Sequence, residues 1–117
     1  MRDIRDYLTD IINAIDATQA FVQGMDAVGF AADQRTQYAV THALEIVASP
    51  TKRISEDVRA CYPAVPWRLM AGMRDRLIHG YDTIDIGVLW KTIHEDLPPT
   101  RAMIAEVLRH ESLNADE

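Results

Sequence analysis

Trp67 to Asp82 reads WRLMAGMRDRLIHGYD, and the architecture of the chain follows from how this stretch begins and ends. Trp67, Met70, Met73 and Leu77 recur at three- and four-residue steps, with Ile78 at the margin. That spacing predicts an amphipathic helix from Pro66 or Trp67 to about His79. Pro63 and Pro66 punctuate the loop before it, and Gly80 is its stop. The helix carries Arg74 and His79 toward its C-terminal end. Tyr81 follows at once, in a turn that runs to Asp85.

Working outward, the same periodicity recurs on both sides. Ile4, Leu8, Ile11, Ile15, Thr18 and Val22 make one stripe of a first helix from about Asp3 to Gln23. Asp3 is the expected N-cap and Gly24 the stop. Gly24 to about Ala32 reads as a connection. A second helix begins near Ala31 or Asp33 and buries Tyr38, Val40, Leu44, Val47, Ile54 and Val58. A kink or short break is expected at Ser49-Pro50, because proline removes a helical hydrogen bond and clashes with the preceding turn. Downstream, Ile86, Leu89, Trp90 and Ile93 face inward on a helix from about Asp85 to Asp96. Pro98-Pro99 bends or restarts the chain, and a last helix runs to about Arg109. No stretch shows a convincing two-residue alternation. The expectation is an all-α fold: an antiparallel, up-and-down bundle of four to five helices. Residues 1–117 read as a single domain, with a polar, flexible tail from about residue 111.

Composition narrows the function. Apolar residues are 48% and charged residues 26%, a globular balance. Cys61 is the one cysteine, so no intrachain disulfide forms, which fits a reducing compartment. The N-terminus lacks the continuous apolar core of a secretory signal. No run approaches the roughly 18 apolar residues of a membrane span. The expectation is a soluble, cytoplasmic protein with no membrane partner. A formal net charge of −6 argues against a nonspecific nucleic-acid binder. The distribution qualifies this. Arg68, Arg74 and Arg76 face Asp75 alone before Asp82, and Lys52, Arg53 and Arg59 make a second basic group. One reading is a small basic site on an acidic body, with Arg68 and Arg76 as candidate phosphate contacts, and the other is an acidic body that suits a basic protein partner.

Arg74 and His79 are separated by four residues, a spacing that means little by itself: Arg35 and His42 match a similar one. Context separates the two. An offset of five residues sets side chains about 140° apart on a straight helix, so they converge only if the helix ends near the second. Gly80 supplies that ending, whereas His42 sits in mid-helix. The bland reading makes His79 a helix-terminal cap and Arg74 a surface ion pair. The chemical reading is metal-free phosphodiester cleavage with an RNA 2′-hydroxyl as internal nucleophile. A histidine moves protons near neutral pH, and an arginine offers a planar fork to phosphate. Tyr81 suits a phosphate hydrogen bond, base stacking, an exposed hydroxyl open to modification, or a half-buried cover for the helix end. Metal chemistry has little support: no glutamate has a histidine three residues later, and Cys61 stands alone. No cofactor motif of the Gly-rich or Gly-x-Ser-x-Gly kind is present.

The run MRDRLIHGYD followed by TIDIGVLWKTIHEDLPP resembles the HEPN superfamily, and more narrowly the HepT-like ribonuclease toxins. These pair with a minimal nucleotidyltransferase of the MntA type. Their Arg-x(4)-His-x-Tyr motif is matched by Arg74, His79 and Tyr81. RDIRDYLTDIINAI, HALEIV, KRIS at Lys52–Ser55 and DLPP also fall where that family places them. One departure is Ala48-Ser49-Pro50-Thr51, where the family usually continues with a Gly-Glu-Ala type run.

The resemblance implies a homodimeric helical bundle whose motif helices form a composite cleft. It implies a metal-independent endoribonuclease toxin of a toxin-antitoxin system, with RNA as substrate, no cofactor, and Arg74 and His79 as the catalytic pair. Asp75 would orient that pair. Tyr81 would be adenylylated by the cognate nucleotidyltransferase antitoxin, which silences the toxin. Two other readings stand beside it. One is a noncatalytic HEPN module that holds a nucleotidyltransferase or nucleotide. The other is a structural helical dimer in which Arg74 and His79 pair across an interface.

Overall fold

Asp3 opens the first helix as expected. Its backbone is extended and its Oδ1 accepts from the Arg5 amide at 2.8 Å, satisfying one of the free donors of the first turn. Helix α1 (Ile4–Phe21) then buries Leu8, Ile11, Ile15 and Thr18 completely. Gly24 takes a φ of 80°, a left-handed conformation that glycine adopts without strain, and the chain turns there. The computed structural model describes residues 2–79 and 83–115, and of Ile78, His79 and Thr83 it describes the backbone alone.

The stretch expected as a plain connection contains a short helix, α2 (Ala27–Ala31), capped by Asp26, whose Oδ1 accepts from Gly29 N at 2.7 Å. Asp33 caps α3 (Gln34–Arg53) by accepting from the Thr36 amide and hydroxyl at 3.1 and 2.7 Å. The break expected at Ser49-Pro50 does not occur. Helix α3 passes through Pro50, which is buried, and ends three residues later. In the last turn the missing N–H takes only one bond from the ladder. Arg59 closes the helix end that follows: its Nη2 donates to Thr51 O at 2.5 Å and its Nε to Ile54 O at 3.1 Å. The chain breaks instead at Ile54, which is extended, and Ser55 caps α4 (Glu56–Cys61).

The central stretch forms two short helices rather than one. Helix α5 (Trp67–Ala71) ends at Gly72, which is non-helical, and α6 (Met73–Leu77) follows. Strand β1 (Ile78–His79) then pairs antiparallel with β2 (Thr83–Ile84), Ile78 opposite Ile84 and His79 opposite Thr83. Two residues on each side are too few to leave an alternation in the sequence. Gly80, Tyr81 and Asp82, read as stop and turn, lie outside the described residues.

Asp85 caps α7 (Ile86–Lys91), which runs through a π-helical turn, Thr92–Asp96, into α8 (Leu97–Ala115). Pro98 and Pro99 explain that turn. Neither has an N–H, so neither His94 nor Glu95 can receive its usual bond, and Leu97 N–H reaches back five residues to Thr92 O. The carbonyl of Ile93 is left with no helical donor. Gln19 of α1 fills it, Nε2 to O at 2.8 Å. Helix α8 continues past Arg109, its expected end, to Ala115.

The fold is the expected all-α bundle. Helix α1 packs against both α3 and α8, and α5 and α6 pack on α3. Leu8, Ile11 and Ile15 meet Val40, Leu44 and Val47, then Met70, Met73, Leu77, Leu89, Ile93, Leu97 and Ile104, in one apolar core. Burying each such side chain stabilises the fold by about 1.5–3 kcal/mol before entropy is counted. Trp67 closes one end, its indole N–H shared between Arg59 O and Tyr62 O at 3.2 and 3.0 Å. Among the described residues no helix is long and apolar enough to cross a membrane.

The Gln19 contact is testable. Gln19→Ala leaves the Ile93 carbonyl unpaired in a half-buried position, and unfolding free energy should fall by about 1–2 kcal/mol. Urea denaturation monitored by circular dichroism reads this. A loss below about 0.3 kcal/mol would mean that the carbonyl finds water at no penalty.

Candidate functional site

Arg74 sits in the second position of α6, on the face turned away from buried Met73 and Leu77. Its side chain is about half exposed and leans across to α3. There its Nε donates to Glu45 Oε1 at 2.9 Å, and its Nη1 lies 3.6 Å from Asp75 Oδ1. The pair with Glu45 raises the guanidinium pKa above its ordinary value, with Asp75 adding less. Arg74 is therefore permanently cationic, and its fork is held at one edge.

Glu45 had no assigned role in the sequence reading. It lies inside HALEIV, but 29 residues separate it from Arg74, and no local spacing marks the pair. His42 enters through the same carboxylate. It lies one turn before Glu45, largely exposed, with Nδ1 3.9 Å from Oε2. That is an ion pair only when the imidazole is protonated. The mid-helix histidine set aside in the sequence reading thus joins the Arg74 cluster through Glu45.

The ending of α6 governs His79. The helix stops at Leu77, two residues earlier than expected. Leu77 O accepts from Asp85 N at 3.0 Å, and the backbone of His79 is extended and paired with Thr83. The side chain of His79 and the whole of Tyr81 lie outside what the structure describes. Asp75 is exposed beside Arg74, and Arg68 and Arg76 are exposed with no ion pair among the described residues. Of the candidate site residues, the described side chains bring together Arg74 and Asp75, with Glu45 and His42 added from α3.

A second polar cluster was not anticipated. Tyr62, at the end of α4, donates to Glu111 Oε2 at 3.0 Å and lies 2.6 Å from His110 Nδ1. With its proton directed to Glu111, the hydroxyl accepts from an Nδ1–H of His110. Burial and the Glu111 carboxylate push the phenol up to about 12. The contacts span 48 and 49 residues of sequence and clamp the α4–α5 loop onto α8. No spacing signal could have found them.

Comparison with known proteins supplies the family. A family model described as ribonuclease HepT-like matches residues 11–107, which include Glu45, Arg74, His79 and Tyr81. A protein of Thermococcus cleftensis named "Probable ribonuclease HepT" is 45% identical over 97 residues, covering 83% of this chain and 88% of its own length. A candidate RNase of Methanocaldococcus jannaschii is 33% identical over 108 residues, covering 92% of this chain and 93% of its own. Another, of Caldanaerobacter subterraneus subsp. tengcongensis, is 31% identical over 111 residues, covering 95% and 99%. No solved structure matches the chain. With a family model spanning most of its length and relatives covered nearly end to end, the chain belongs to the ribonuclease HepT-like family.

Proposed function

We propose that this protein is a metal-independent endoribonuclease, the toxin of a toxin-antitoxin pair, with Arg74 and His79 as its catalytic groups. The observation that carries the reading is Arg74 itself. It is the first residue of the Arg-x(4)-His-x-Tyr motif, it lies within the matched family region, and it is exposed, cationic and held at one edge by Glu45. The end of α6 at Leu77 supports it further, since a straight helix would carry Arg74 and His79 apart. An RNA substrate and an unpaired Cys61 fit the cytoplasm.

The chemistry needs no ion. His79 takes the proton of a 2′-hydroxyl, whose oxygen attacks the adjacent phosphorus. The bond from phosphorus to the 5′-oxygen breaks, an imidazolium returns a proton to that oxygen, and a 2′,3′-cyclic phosphate remains. Arg74 stabilises the charge that develops on the phosphoryl oxygens, and Asp75 and Glu45 position the guanidinium. Arg68 and Arg76 hold flanking phosphates.

A homodimer would bring two such pairs into one cleft. A largely apolar groove of about 370 Å³ between α1 and α3 supports this, lined by Ala14, Ala17, Phe21, Ala39, Ala43 and Ile46 together with Asp10, Asn13 and His42. Phe21 and Ile46 are 46% and 39% exposed, large apolar side chains of the kind an interface buries, and Ile46 adjoins Glu45. In the same reading a cognate nucleotidyltransferase of the MntA type adenylylates Tyr81. The phenol oxygen attacks the α-phosphorus of ATP and pyrophosphate leaves. The added AMP carries bulk and negative charge beside the catalytic pair and excludes RNA phosphate.

A noncatalytic module that holds a nucleotidyltransferase or nucleotide is the second reading. The Glu45–Arg74 pair favours it, because the carboxylate already occupies one edge of the fork. RNA cleavage in excess EDTA separates the two. The unmodified protein should cleave, and Arg74→Ala and His79→Ala should each lose about 10²-fold or more while keeping the wild-type melting transition. Cleavage undiminished in either variant removes that residue from the mechanism, and a wild-type sample without cleavage supports the binding module. Tyr81→Phe tests the regulation. With nucleotidyltransferase and ATP, intact-mass spectrometry should show AMP on the wild type and none on the variant, which stays active. Equal modification of both would move the acceptor elsewhere.

A further inference from the structure

The C-terminal end of α3 presents the second basic group of the chain, which neither the catalytic pair nor the Tyr81 switch uses. Its three members are not equivalent. Arg59 is committed to backbone, bonding Thr51 O and Ile54 O. Lys52 and Arg53 are exposed and have no side-chain partner among the described residues. On a chain of net charge −6, two adjacent uncompensated cations stand out.

Helix geometry relates them to Arg74. Lys52 follows Glu45 by seven residues, about two turns, so it lies on nearly the same face and about 10 Å further along the axis. Glu45 holds Arg74 at its own level of α3. The two cationic points therefore line one helix at a spacing that a few phosphates cover along an extended strand. Arg53 turns toward α1 and lines a surface cavity of about 260 Å³ with Arg2, Tyr7, Ser55 and Val58. Among the described residues no carboxylate lines this cavity. The guanidinium of Arg2 pairs with Asp10 at 2.8 Å and lies 5.2 Å over the Tyr7 ring, which leaves Arg53 as the open charge. Glu56 and Asp57, the acids nearest in sequence, open α4 and do not line it.

We infer that Lys52 and Arg53 form a phosphate subsite for the RNA strand, a few nucleotides from the bond at Arg74. They position substrate without touching the reacting atoms. The inference rests on the ribonuclease reading for its ligand, and the test is chosen so that the two can fail separately.

The probe is a labelled, single-stranded 2′-O-methyl RNA, which lacks the nucleophile and cannot be cleaved. Its affinity for the full chain is measured by fluorescence anisotropy across a salt series. K52A/R53A should bind about 10-fold more weakly, and its plot of log affinity against log salt should be shallower by about 1.4, the value for two lost single-strand phosphate contacts. R35A/K91A removes the same charge from other exposed positions and should change affinity less than twofold. Equal weakening in both double variants would reduce the effect to net charge and overturn the subsite. So would a wild type that does not bind the probe. A K52A/R53A protein with altered sedimentation mass and unchanged probe affinity would give this face to a second copy, and also overturns the inference. A wild type that cleaves RNA while its probe affinity ignores both residues fails the subsite alone. A wild type that binds the probe through them yet cleaves no RNA fails the nuclease reading alone.

Discussion

Where His79 stands relative to Arg74 depends on α6 ending at Leu77. Asp85 makes that ending stable. Its N–H takes the Leu77 carbonyl at 3.0 Å, and its Oδ1 accepts from Val88 N at 3.2 Å. One residue thus closes one helix and opens the next, so the chain reverses between β1 and β2 without leaving those groups unpaired. Had α6 continued, each residue would have rotated by about 100°, and His79 would have been carried around the helix away from Arg74. The reversal fixes its backbone beside Thr83 instead.

The electrostatics of the site are better understood as positioning than as stabilisation. Arg74 and Glu45 are both substantially exposed, and solvent screening leaves a pair of that kind little net weight in folding. Its effect on the guanidinium is larger in kind. Held through Nε, the fork keeps one orientation relative to α3, and a planar donor that is already oriented loses less entropy on meeting a phosphate. In the proposed reading the carboxylate also opposes an incoming phosphate, and the site trades attraction for placement. Such a trade is tolerable only if other cations, further out, supply the attraction.

The features legible in the sequence are those with a period. Leu8, Ile11, Ile15, Val40, Leu44, Met70, Met73 and Leu77 announce their helices because each buried position repeats every three or four residues, and all of them are buried. Gly24 and Asp3 announce a stop and a start for local steric and hydrogen-bonding reasons. Arg74 was legible as part of a motif, but its partner was not. Glu45 lies 29 residues away, and Gln19 reaches an Ile93 carbonyl 74 residues on. Such pairs depend on how helices face one another, which no spacing within one helix encodes. Pro50 shows the limit from the other side. Its penalty is real, yet α3 continues for three more residues and Arg59 then closes its end through Thr51 O and Ile54 O, a contact that no local spacing encodes.

Helix α3 joins these threads. One face of it, Val40, Leu44 and Val47, is fully buried and holds it against α1 and the central helices. Because that face is fixed, the remaining faces are fixed too. Glu45 must meet α6, Ile46 must border the apolar groove, and Lys52 must stand two turns beyond Glu45. A rigid helix acts here as a ruler for groups that belong to different tasks. A residue inserted just after Glu45 would turn Lys52 and Arg53 by about 100° relative to Arg74, and it would turn buried Val47 and Thr51 out of the core with them. The packing of α3 is therefore part of the site.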